Sequence, residues 1–132
     1  MSGWGAGNFE NDGARNEPGM LLQYIIDRIN QDMSEDRAGD SLFDGRGENI
    51  VANVEILTKL CEMYHFIPRV SIDEILVWKK DYLKVFDRVT HLSKINSEYH
   101  VKLRAERRVI IERTFDRLLS VITGLQKDIW EL

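Results

Sequence analysis

The chain has 132 residues, 43% of them hydrophobic and 30% charged, with a formal net charge of -4; this is the size and balance of one globular domain able to bury a core without disulfides or metals. An acidic balance argues against a nucleic-acid-binding domain, which is ordinarily strongly basic, and against an anionic membrane surface. The single cysteine, Cys61, has no partner for an internal disulfide, and no secretory leader or apolar run of membrane-spanning length is legible, so a reducing cytoplasm is the expected compartment.

The opening, Gly3-Trp4-Gly5-Ala6-Gly7-Asn8-Phe9-Glu10-Asn11-Asp12, sets two large aromatics among three alternate glycines and ends on two capping-type residues. Trp4 and Phe9 offer apolar area to pin a terminus, glycine lets the backbone lie close, and Asn11 and Asp12 suit a helix start. Residues 1–17 are therefore expected to form an anchoring segment. The glycines lack the strand context and spacing of a dinucleotide loop, and no Gly-Lys-Ser/Thr follows.

After Pro18, a good first-turn residue, Met20, Leu22, Ile25, Ile26, Ile29 and Met33 recur at helical steps. Residues 34–49 then lose periodicity and read as an acidic surface loop; Asp40 to Glu48 does not keep a calcium-loop register. From Ile50 to Tyr64 one face carries Val51, Val54, Leu57, Leu60, Cys61 and Tyr64 while Ile56 and Met63 occupy another, which predicts a helix buried on two sides. Ser71-Ile72-Asp73-Glu74 is a capping box, followed by apolar residues at helical spacing to Leu92, as one helix or two broken near Trp78 to Asp81.

Ser97 then caps a last segment that runs to the C-terminus with one glycine and no proline. At 1.5 Å per residue it would span about 50 Å, so it is expected to kink or to protrude. Ile111, Phe115, Leu118, Ile122, Leu125 and Ile129 make a bundle seam, which Arg108 and Arg104 continue backward, whereas Tyr99, Leu103 and Ile110 lie on a different face. The helix is thus expected to change partner near Val109. No alternating strand pattern occurs, so the fold expected over residues 1–132 is a single all-α domain, a bundle of about four to five helices with a long C-terminal helix.

Candidate chemistry is sparse. Glu62 and His65 make one Glu-x-x-His step, Asp87 and His91 another acid-histidine pair, and Glu55 precedes Glu62 by seven. Di-metal bundles need two such steps and two further glutamates, so Glu55, Glu62, His65 and His91 are metal candidates, read first as solvated surface or a capping histidine. No metal or other cofactor is expected. Cys61 on an apolar face reads as a core residue, and no nucleophile elbow supplies a Ser-His-Asp arrangement.

Lys102, Arg104, Arg107 and Arg108 are the strongest basic run, with the three arginines a candidate contact for a partner or an anion, but Glu106, Glu112 and Asp116 are interleaved and no aromatic sits among the arginines to stack a base. Residues 1–49 hold ten acids against four bases, which favours internal pairing with that acidic third. At least one of Arg104 and Arg108 is expected to contact a carboxylate of the same chain, because a guanidinium in a core seam needs a counter-charge.

The opening decapeptide, with residues 52–55 and the Ser97-Glu98 pair in order behind it, resembles a bacterial family of unknown function whose members begin Gly-Ala-Trp-Gly-x-Gly-x-Phe-x-Asn-Asp. The resemblance implies a helical fold and carries no chemistry. Two departures stand out: Gly13-Ala14-Arg15-Asn16-Glu17-Pro18 replaces a second Asp and an Ala that lead straight into a helix, so the first helix is expected to start late, and Leu103 stands near the place of a family tryptophan. The expected role is a protein-interaction or regulatory module, immunity-like or antitoxin-like by analogy of fold, with homo-oligomerisation through the last helix as one form. A metal-dependent or small-molecule enzyme built on the Glu and His set is the alternative, and nucleic-acid binding by the basic middle of the last helix a weaker one.

Overall fold

The computed structural model describes residues 12–36, 46–92 and 97–130, with side chains over 16–34, 49–90 and 97–128. Four helices make up the described chain: α1 (Asp12–Asp36), α2 (Arg46–Tyr64), α3 (Ile72–Leu92) and α4 (Glu98–Trp130). The fold is all-α, a helical bundle with a long C-terminal helix, and no strand occurs among the described residues.

Two of the helices begin at a visible cap. The Ser71 hydroxyl accepts the Glu74 N–H at 3.0 Å, and the Ser97 hydroxyl accepts the His100 N–H at 3.3 Å, each satisfying a donor the first turn would leave unpaired. At the other end of α2, His65 takes a left-handed conformation with φ of 54°, the geometry that turns a chain out of a helix.

The helices share one apolar core. Ile29, Ile50, Val54, Leu57, Cys61, Ile75, Ile111, Phe115, Leu118 and Ile122 are fully buried. α1 packs on α2, α2 on α4, and α4 on α3. Trp78 ties α3 back to α1 by donating its indole N–H to Asn30 Oδ1 at 2.9 Å, and the Tyr82 and Phe115 rings meet 6.0 Å apart between α3 and α4. Because Asp87 pairs with Arg108 and Lys79 with Asp116, α3 and α4 run antiparallel.

Several expectations are corrected. α1 starts at Asp12, not after Pro18, and carries that proline in its second turn; only the bond to the Ala14 carbonyl is lost there, a cost the buried face of α1 offsets. Helix covers both ends of the loop expected over 34–49, since α1 reaches Asp36 and α2 begins at Arg46, and the stretch between them lies outside the described residues. Two points left open by the sequence are decided rather than corrected: α3 is continuous through Trp78 to Asp81, and α4 is one helix of 33 residues. Ile56 and Met63 are 46% and 66% exposed, so α2 is not buried on their side.

Candidate functional site

α4 divides at Ile111. From there to Ile122 every seam residue is fully buried, whereas between Ser97 and Ile110 no side chain is buried. In that first half Tyr99 is 68% exposed, Leu103 47% and Ile110 50%. At 100° per residue these three lie within about 40° of one another around the helix, so they form one stripe. The expected change of packing partner near Val109 is not seen among the described residues: the half-buried His100, Arg104, Arg107 and Arg108 continue the face of the buried seam, while Tyr99, Leu103 and Ile110 stand exposed.

Beside the stripe, Ile110, Arg113 and Arg117 face Glu55, Thr58 and Lys59 across a shallow cleft of about 200 Å³ between α4 and α2. Arg117 reaches over it to Glu62 at 3.1 Å. Glu55 pairs within its own helix to Lys59 at 3.8 Å. Both expected metal-ligating glutamates are thus occupied by cations of the chain.

On the opposite flank of α4, Arg108 donates through Nε and Nη2 to the two oxygens of Asp87 at 2.8 and 2.9 Å, and its Nη1 bonds Glu112 one turn on. The Arg108 hydrogen bond holds the Asp87 carboxyl below its ordinary value against a small opposing effect of burial, and the carboxylate raises the guanidinium in turn. Arg104 lines a cleft of about 310 Å³ beside this pair with Phe86, Thr90 and Ala105, and Arg107 is half-buried nearby. The carboxylate partners of Arg108 and Arg117 lie on α3, α4 and α2 rather than in the acidic first third. The reason is topological: α4 packs chiefly on α2 and α3, and α1 chiefly on α2.

His65 lies exposed just past α2, in the left-handed turn, and His91 is in the last turn of α3, its side chain outside the described set. Among the described residues no three His, Cys, Asp or Glu side chains gather as a metal would require. Cys61 is fully buried, and burial, with a smaller push from Glu62, raises its thiol to about 11; a nucleophilic role needs the opposite. A larger cleft of about 570 Å³ lies between the start of α1 and residues 66–69, lined by Met20, Phe66, Ile67 and Arg69 without a described acid-base pair. Trp4, Phe9 and Asn11 lie outside the described residues, as does the side chain of Asp12, the first residue of α1.

No helix is long and apolar enough to cross a membrane among the described residues. No known protein family, curated protein or solved structure matches the chain.

Proposed function

We propose that this chain is a protein-interaction module, regulatory in the manner of an immunity-type or antitoxin-type partner, and that it docks through the first half of α4. One observation carries the reading: Tyr99, Leu103 and Ile110 stand exposed in a single stripe on a helix whose other half buries its apolar seam. Scattered surface leucines are ordinary, but a contiguous apolar stripe rimmed by charge is the usual mark of a docking face. Lys102, Glu106 and Arg113 form such a rim along one border.

Site-specific photo-crosslinking in cells tests it. A photoreactive residue at position 103 is expected to give a covalent protein adduct, while the same group at position 84, exposed on α3, gives none. Absence of an adduct at position 103 would remove the interaction reading.

A further inference from the structure

We infer that the partner accepted by the α4 stripe is a second copy of this chain, docked antiparallel about a two-fold axis that crosses α4 near Arg104. This rests on the reading of the stripe as an interaction face, and it adds the identity and direction of the occupant.

The argument is one of self-complementarity. When two identical helices pack antiparallel about a two-fold axis, each residue meets one equally far from the axis on the other side, and the same border of each helix meets itself in reverse. Applied to α4 with the axis near Arg104, this operation brings Tyr99 close to the level of Ile110 of the other copy and Leu103 within about 3 Å, along the helix, of its own counterpart. Along the border it sets Lys102 against Glu106 and Glu98 against Arg113, two pairs of opposite charge. The midpoints of all four pairs fall within one helical turn, between Leu103 and Glu106. A parallel pairing would instead set this border against the opposite border of the other copy, so these four charges would not meet one another.

The groups this arrangement needs are exposed, although Ile110 and Arg113 also line the cleft against α2. Glu98, Tyr99, Lys102, Leu103, Glu106, Ile110 and Arg113 are all exposed, and none of the four charged ones forms an ion pair with another described residue, although Lys102 has an acid one turn away on either side. Overlap from Glu98 to Arg113 spans about 24 Å of helix, a small interface by the standards of specific complexes. The dimer is accordingly weak.

Two measurements on the purified full chain test this. Sedimentation across a concentration series is expected to show a reversible monomer–dimer equilibrium; Glu106→Lys weakens it about tenfold, and the exchange Lys102→Glu with Glu106→Lys restores it. Disulfide trapping reads the direction: Leu103→Cys links to itself, and Tyr99→Cys links to Ile110→Cys when the two variants are mixed. Neither of the latter links to itself, because antiparallel packing holds like positions about 16 Å apart. The buried Cys61 does not compete.

A chain that stays monomeric throughout, or one whose Tyr99→Cys and Ile110→Cys variants each self-link, overturns the proposal. A monomer that still cross-links to a different protein through position 103 overturns self-pairing while leaving the interaction reading intact. A chain that does neither loses both.

Discussion

Asp87 and Arg108 face each other across the antiparallel α3–α4 hairpin with both carboxylate oxygens engaged, at 2.8 and 2.9 Å. The pair sits at the rim, with side chains 51% and 39% exposed, so solvent screens it. Asp87→Asn is expected to cost about 0.5 to 1 kcal/mol at neutral pH, the upper range for exposed pairs. Its carboxyl titrates lower folded than unfolded, so the stabilisation is present above the ordinary carboxylate value and fades as pH falls through the depressed folded one. Unfolding measured across pH should show the native chain and Asp87→Asn converging in acid; a constant gap would mean the carboxylate charge is irrelevant.

Burial of Cys61 gives a second expectation. With its thiol raised to about 11 and no exposed surface, it should resist alkylation at pH 8 for as long as the chain stays folded, and react fully in denaturant. Rapid labelling of the native protein would contradict the buried placement.

His65 sits where a glycine would be less strained. A non-glycine residue at φ of 54° carries a left-handed penalty of about 1 kcal/mol, so His65→Gly should raise the stability by roughly 0.5 to 1 kcal/mol. A loss of stability in that variant would show that the imidazole itself makes a needed contact.

Gly124 lies exposed inside α4, and a Cβ built there meets nothing within 4 Å. Gly124→Ala should therefore stabilise the chain by about 0.5 to 1 kcal/mol, observed as a higher melting temperature. A lower one would place another element over that position.

What was legible in the sequence is what periodicity and capping control. Ile111, Phe115, Leu118 and Ile122 were readable as a seam because burial on one side of a helix enforces three and four residue steps, and Ser71 and Ser97 were readable as caps because their oxygens serve local donors. The start of α1 was not, because a proline marks a first turn only statistically, and here the apolar face of α1 carries the helix across it. Ile56 and Met63 were misplaced for a related reason: apolar character allows burial without demanding it, and only the arrangement of the other helices leaves them exposed. The partner of Arg108 was equally hidden, since whole-chain charge points to the acidic first third while helix order puts Asp87 alongside. The exposed stripe was half legible. Sequence separated Tyr99, Leu103 and Ile110 from the seam, but whether the chain itself covers them depends on tertiary structure.

The most direct measurement is the unfolding free energy, at dilute concentration, of a chain carrying Tyr99→Gln, Leu103→Gln and Ile110→Gln together. If the stripe exists for association, three exposed side chains contribute little to the fold, and the triple variant should unfold within about 1 kcal/mol of the native chain. A loss of several kcal/mol, the signature of emptied core positions, would show that the stripe is packed within the fold and is not a docking surface.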